Sequence, residues 1–120
     1  MFDESADSSI IHYESALERI GGDREFLDEL LGIYQEEFEL NVNKLDQAVQ
    51  AGDFTSIQEV GHSLKGSSAN LSLNLLRDKA YLLETAGRES DLPLAQRSTE
   101  ELKVELQRLQ QHLAEHQPAS

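Results

Sequence analysis

The sequence predicts an all-α fold, an antiparallel up-and-down four-helix bundle with a short N-terminal lid helix. Four long segments carry apolar residues at spacings of three and four, the pattern of helices that bury one face. The connections between these segments are short, which favours antiparallel neighbours. No segment alternates apolar and polar residues as a half-buried strand does. With 120 residues, 38% of them hydrophobic, the chain suffices for one modest core, so we expect a single domain spanning residues 1–120.

Two glycines separate the lid helix from the first long helix. The lid helix is expected at about residues 8–20 and should stop at Gly21 and Gly22, because glycine readily ends a helix. Asp23 is placed to cap the next helix. The bundle should run from about residue 23 to 116, followed by a frayed tail at 117–120. The stripe of the first long helix consists of Leu27, Leu30, Leu31, Tyr34, Phe38, Val42, Leu45 and Val49.

The second long helix should follow Gly52, with Asp53 as its cap. Its buried stripe is predicted to comprise Phe54, Ile57, Gly61, Leu64, Ser68 and Leu71. A turn near Ser72 and Leu73 then leads into the third long helix, with Gly87 near its end. The stripe of that helix is Leu76, Ala80, Leu83 and Ala86.

The last helix should open at Ser90 or Asp91. Pro93 then falls in the first turn, where proline is tolerated because the first N–H groups of a helix have no internal partner. The stripe of this helix is unbroken and comprises Ala95, Thr99, Leu102, Leu106, Leu109 and Leu113.

His62 is predicted to lie on the exposed face of its helix. The buried stripe centres near Leu64, and at about 100° per residue His62 points roughly 150° away from that centre. Lys65 and Gly66 share the face of His62 within little more than one turn. A histidine satisfied inside the core would lie on the stripe. The remaining alternative is an ordinary surface histidine with no role.

Gly66 and Lys65 favour the interpretation that His62 has a function. A mid-helix glycine costs about 1 kcal/mol relative to alanine. Its presence on the exposed face, one turn from the histidine, predicts that a partner's backbone or active-site loop must come close. Lys65 can neutralise a phosphoryl oxygen as a mobile point charge. The alternative for Gly66 is a mild helix defect that the fold tolerates, and the alternative for Lys65 is an ordinary solvated lysine.

Residues 62–71 read His-Ser-Leu-Lys-Gly-Ser-Ser-Ala-Asn-Leu. They resemble the hallmark of the histidine-containing phosphotransfer (HPt) family, a helix that carries His-x-x-Lys-Gly-Ser-Ser. The resemblance extends from Tyr13 to Leu113. Residues 20–31 look like the opening of the family's first long helix, and residues 82–88 look like the helix after the histidine. Two positions depart from the family's pattern: Ser72, where glycine is usual, and Gly61, where alanine is common.

Glu84 is a candidate helper for His62. If the turn between the second and third long helices centres on Leu73, Glu84 on the third helix lies level with His62 on the second. The family residue matching Glu84 is often Glu or Gln and can hydrogen-bond the imidazole. A carboxylate that accepts from Nδ1–H would fix the tautomer and leave Nε2 free to attack. The alternative is an exposed glutamate with no role. The partner-binding surface is assigned, besides Gly66, to Gln58, Ser63, Ala69 and Tyr81.

The resemblance implies a phosphorelay intermediate. His62 would accept a phosphoryl group from the aspartyl phosphate of a receiver domain, or from a donor kinase, and pass it to another receiver domain. We expect a carrier rather than an enzyme, because the chain has no Walker loop or glycine-rich nucleotide site. No cofactor is expected on this chain, and Mg²⁺ is expected on the partner receiver. The alternative is a helical binding module that docks a receiver or a hybrid histidine kinase without transferring phosphate.

The net charge of −13 is unevenly distributed. Residues 1–59 carry 15 Asp or Glu and 3 Lys or Arg, whereas residues 60–120 carry 8 and 7. An acidic surface repels nucleic acid and anionic membranes, so we expect neither as a partner. The chain has no cysteine, which excludes disulfides and a cysteine nucleophile. No apolar run approaches the ~20 residues that span a bilayer, and the N-terminus is unlike a secretory signal. We therefore expect a cytoplasmic monomer.

One rival motif lies at the end of the chain. Residues 112–116 read His-Leu-Ala-Glu-His and fit the pattern of inverted zinc peptidases. Two histidines four residues apart on a helix can share a metal ion. However, no acidic residue follows His116, and Leu113 belongs to the buried stripe. We therefore expect no metal site.

Overall fold

Five α-helices account for most of residues 10–115, the part of the chain that the computed structural model describes. They are α1 (Tyr13–Arg19), α2 (Arg24–Ala51), α3 (Phe54–Asn70), α4 (Asn74–Glu89) and α5 (Leu92–Glu115). No strand occurs among these residues, so the prediction of an all-α fold is confirmed. None of the described helices is both long and apolar enough to cross a bilayer.

Helix α1 is shorter than the lid helix that the sequence predicted. It begins at Tyr13, and residues 10–12 are not helical. His12 precedes it without making a side-chain cap, and its backbone N–H donates to the Ser72 carbonyl at 3.1 Å instead of to a carbonyl of an earlier helical turn. The predicted helical residues 8 and 9 lie outside the described residues. The same is true of residue 116 and of the predicted tail, 117–120.

Aspartates begin three of the long helices, as predicted. Asp23 and Asp53 each accept a hydrogen bond from the backbone N–H three residues later, at 3.1 Å. Asp91 does the same for Leu94 at 3.1 Å, which makes Asp91 rather than Ser90 the cap of α5. Each carboxylate satisfies a donor that has no partner within its own helix. The hydrogen bonds from Ser56 also lower the pKa of Asp53.

The turn between α3 and α4 contains a serine in a backbone conformation that favours glycine. Ser72 adopts φ = 55°, in the left-handed region that favours glycine. Its hydroxyl donates to Ser15 Oγ at 2.9 Å, and its carbonyl accepts from His12 N at 3.1 Å. Ser72 thus attaches the chain around α1 to the end of the α3–α4 hairpin.

The core consists largely of the predicted stripes. Helix α2 packs against α3 and α5, and α4 packs against the same two helices. The buried residues at stripe positions include Leu27, Leu31, Phe38, Leu45, Ile57, Leu64, Leu76, Leu83, Leu102 and Leu109. Leu30, Val42, Val49, Phe54 and Leu113 are only partly buried. The buried Ser68 hydroxyl is paired with the Tyr34 hydroxyl at 2.6 Å, so this polar pair joins α2 to α3 within the core.

Candidate functional site

His62 lies near the middle of α3 on its exposed face. Its side chain is 71% exposed. The buried residues of the helix lie on the other side: Ile57, Val60, Gly61, Leu64 and Ser68. Helix α3 therefore presents the imidazole to solvent, and the ring is not a core histidine.

Glu84 on α4 holds one side of the imidazole ring. Its Oε2 lies 2.9 Å from His62 Nδ1. With Nδ1 protonated, the ring donates this hydrogen bond and Nε2 carries the free lone pair. The Glu84 side chain is only 12% exposed, so the alternative of an exposed glutamate is wrong. The ring is thus fixed at Nδ1 by a nearly buried acceptor and is otherwise open.

Lys65 is paired with the other oxygen of the same carboxylate. Its Nζ lies 2.6 Å from Glu84 Oε1. It also lies 5.5 Å from the centroid of the Tyr81 ring, within the range of a cation–π interaction. The contact with Lys65 lowers the pKa of Glu84; partial burial acts in the opposite direction, and His62 adds to the lowering. Glu84 therefore connects the candidate nucleophile and the cation beside it.

Sequence reasoning missed the ion pair between Lys65 and Glu84. It assigned Lys65 only to a phosphoryl group. The signal was present, because Lys65 shares the helix face of His62 one turn further along, and Glu84 was already placed level with His62. A carboxylate between two helices at that level is within reach of both side chains.

Gly61 is the reason that α3 and α4 approach so closely at His62. A Cβ atom at Gly61 would lie 2.5 Å from the backbone nitrogen of Glu84 and 2.9 Å from its Cα. Gly87 plays the same part against the backbone of Gln58. Sequence analysis treated Gly61 as a minor departure and missed this contact. The available signal was a glycine inside the buried stripe, directly before the exposed histidine.

Gly66 is different from Gly61 and Gly87. It is exposed, has no positive φ, and a Cβ atom there would meet nothing within 4 Å. The chain's own packing therefore does not require a glycine at this position, although glycine weakens a helix. What Gly66 provides is open space beside Lys65 and His62.

The other predicted binding residues are distributed unevenly around His62. Gln58 lines a shallow recess together with His62 and Glu84. Tyr81 is exposed beside Lys65, and Ala69 is partly buried two turns from His62 on the same helix. Ser63 instead lines a groove between α2 and α3. The structure thus brings Gln58 and Tyr81 to the site and turns Ser63 away from it.

The rival zinc motif is only partly covered by the structure. His112 Nε2 lies 3.0 Å from the hydroxyl of Tyr13, which joins α5 to α1. His116 lies outside the described residues. Within residues 10–115, no group of three or more His, Cys, Asp or Glu side chains is arranged to hold a metal ion.

Two comparisons with known proteins found a match. A family model described as the Hpt domain matches residues 29–112, more than half of the chain. Among solved structures, the chain is similar to histidine-containing phosphotransfer protein B (HptB) from Pseudomonas aeruginosa PAO1, with a TM-score of 0.74 and 25% sequence identity. The similarity covers 81% of this chain and 84% of that one. No curated protein matches.

Proposed function

Because this chain belongs to the Hpt domain family, whose members carry phosphoryl groups in phosphorelays, we propose that His62 is its phosphorylated residue. The observation that carries the proposal is the geometry of the ring. The imidazole is 71% exposed, and its Nδ1 is held 2.9 Å from a carboxylate. Such a ring has one nitrogen fixed and the other free to react, as a nucleophile that meets another protein requires.

In the proposed reaction, Nε2 of His62 attacks the phosphorus of an aspartyl phosphate on a receiver domain. The new N–P bond forms as the P–O bond to the aspartate breaks, and the bonding electrons leave with the aspartate carboxylate. The Nδ1 proton stays on the ring, where Glu84 stabilises the positive charge that develops. Attack on the same phosphorus by an aspartate of another receiver reverses these steps and releases the imidazole.

Lys65 is proposed to pair with the phosphoryl group when that group is bound to His62. In the structure its Nζ lies beside Glu84, one turn from His62. The flexible stem of a lysine allows its ammonium group to turn toward a phosphoryl oxygen on Nε2. Lys65 would thus be paired with Glu84 before the reaction and with the phosphoryl group after it.

The partner receiver is proposed to supply the remaining groups. A receiver domain would contribute the aspartate, the Mg²⁺ ion and most of the transition-state charge stabilisation. A hybrid histidine kinase is the alternative phosphoryl donor. On this proposal the chain is a carrier, and its own contribution is the positioned nucleophile and Lys65.

The finer architecture and setting are also proposals. Helices α2 to α5 would form the antiparallel up-and-down four-helix bundle, with α1 as the lid. The short connections at residues 52–53, 71–73 and 90–91 support this topology. Residues 1–120 as one domain, a monomeric state and a cytoplasmic location remain predictions from the sequence.

Transfer from a radiolabelled receiver tests the proposal. Incubation with a receiver carrying labelled aspartyl phosphate should move the label to this chain in an acid-labile form. The label should be absent from His62→Gln and present in His12→Gln, which changes an exposed histidine outside the site. Circular dichroism checks that all three proteins are equally helical. A wild-type chain that binds the receiver but never acquires label would instead favour the non-transferring binding module.

A further inference from the structure

An apolar stripe runs along the solvent-facing side of α2. Phe26, Ile33 and Leu40 are 44%, 53% and 65% exposed, and they are three of the five large hydrophobic residues found exposed in the described chain. Neighbouring members of the stripe are seven residues apart. Seven residues fall about 20° short of two full helical turns, so each side chain is rotated by only about 20° from the one before it. The three side chains therefore lie within about 40° of one another along roughly 21 Å of helix.

The stripe and the recess beside His62 have no lining residue in common. The buried side of α2, which includes Leu27, Leu31 and Phe38, faces the bundle. Ile33 instead lines a third shallow groove, which it shares with Ser67 and Asn70 of α3 and which is distinct from the groove at Ser63. The stripe is thus an apolar surface left exposed among residues 10–115, and it is extended by a groove at Ile33.

Acidic residues border the stripe and restrict what can cover it. Glu29 and Glu36 lie on one side of the stripe and Glu37 on the other, all exposed. Helix α2 as a whole carries seven Asp or Glu against two Lys or Arg, a net charge of −5. This charge opposes a second copy of α2 and an anionic membrane surface. It also opposes the chain's own first nine residues, which contain three acidic residues and no Lys or Arg.

We propose that the Phe26–Ile33–Leu40 stripe docks an amphipathic helix of a partner protein whose apolar seam is flanked by Lys or Arg. An apolar residue every seven positions returns to nearly the same face of a helix, so one partner helix can contact all three stripe residues over several turns. Basic residues at the edges of the partner's seam would face the glutamates that border the stripe, as complementary charges do in paired helices. This surface binds independently of the phosphoryl state of His62.

A designed peptide tests the docking surface. The probe is a 21-residue peptide with leucine at the a and d positions, lysine at e and g, and one tryptophan. Its fluorescence can be followed without interference because the chain has no tryptophan. The double variant Ile33→Gln/Leu40→Gln should bind it at least tenfold more weakly than the wild type. Val104→Gln is the matched control, because Val104 on α5 is also 53% exposed and lies outside the stripe.

Two further comparisons decide the outcome. A peptide with glutamate at e and g should not bind, and His62→Gln should bind the lysine peptide as tightly as the wild type does. Loss of binding in His62→Gln would overturn the independence of the two surfaces. Equal affinities of the double variant and the wild type would overturn the docking surface. Sedimentation should show a monomer, and a dimer that disappears in the double variant would assign the stripe to self-association instead.

Discussion

Glu84 on α4 lies 2.9 Å from Nδ1 of His62 on α3. The pairing depends on the close approach of the two helices, since Gly61 leaves no Cβ atom between α3 and the backbone of Glu84. The same carboxylate also binds Lys65. One nearly buried side chain therefore sets both the orientation of the imidazole and the resting position of the neighbouring cation.

Substitutions at Glu84 should separate these two effects. Glu84→Gln keeps an oxygen that can accept from Nδ1–H but removes the charge facing Lys65. Glu84→Ala removes both, and a ring that is no longer positioned should transfer roughly tenfold to 100-fold more slowly. We expect Glu84→Gln to lie between Glu84→Ala and the wild type in rapid-quench transfer rates. ¹⁵N chemical shifts of His62 should show a fixed tautomer in the wild type and a mixture in Glu84→Ala.

The control for this series is Glu89→Ala, which removes an exposed glutamate from the last turn of the same helix. It should leave both the transfer rate and the His62 tautomer unchanged. If Glu84→Ala matched the wild type in both measurements, the assignment of Glu84 as a positioning residue would be wrong.

The stability of the protein should depend on pH through Glu84. Its pKa in the folded state is lowered below the ordinary value of 4.5, chiefly by Lys65. The unfolded state therefore binds the proton more readily, and the stabilisation is present above pH 4.5 and lost as the pH falls through the lowered pKa. In urea denaturation, the wild type should be more stable than Glu84→Gln near pH 7, and the difference should shrink in acid. A difference that grew in acid would contradict the ion pair.

Gly66→Leu should slow phosphotransfer without weakening the fold. A leucine there occupies space that the chain leaves open and obstructs a partner, and a loss of about 1.4 kcal/mol in the transition state corresponds to tenfold. Gly32→Leu is the matched control: Gly32 is also an exposed mid-helix glycine with nothing near its Cβ position. Both variants should be as stable as the wild type or more so, and only Gly66→Leu should transfer slowly. Equal transfer rates would contradict the access argument.

Alanine substitutions at Gly61 and Gly66 should change stability in opposite directions. Gly61→Ala forces a Cβ atom against the backbone of Glu84, and overpacking of this kind costs about 1–3 kcal/mol. Gly66→Ala should instead stabilise the helix by up to about 1 kcal/mol. Urea denaturation measures both free energies of unfolding. A stabilised Gly61→Ala would show that α3 and α4 can separate at little cost.

Local rules predicted much of the fold. The aspartate caps of α2 and α3 follow from hydrogen-bond donors that a helix leaves free at its start. The buried stripes follow from the helical period, which also turned His62 outward. The predicted beginning of α1 was wrong, because periodicity alone does not locate a helix end where no side-chain cap exists.

Contacts between helices were harder to predict. The level of Glu84 came from counting residues from the turn, which gives height along a helix but not the distance between two helices. That distance depends on Gly61, whose effect appears only when the backbone of α4 is in place. Lys65 was likewise assigned to a ligand because its ion-pair partner lies on another helix. The distance between two helices therefore decides which side chains meet, and sequence periodicity does not predict that distance.

Identification of the phosphorylated atom tests the central claim most directly. The chain has four histidines, and each has two ring nitrogens. After transfer from a receiver, ³¹P and ¹⁵N NMR of selectively labelled protein should place the phosphoryl group on Nε2 of His62 alone. Phosphorylation at Nδ1 of His62, or at another histidine, would contradict a ring held at Nδ1 by Glu84 and open at Nε2.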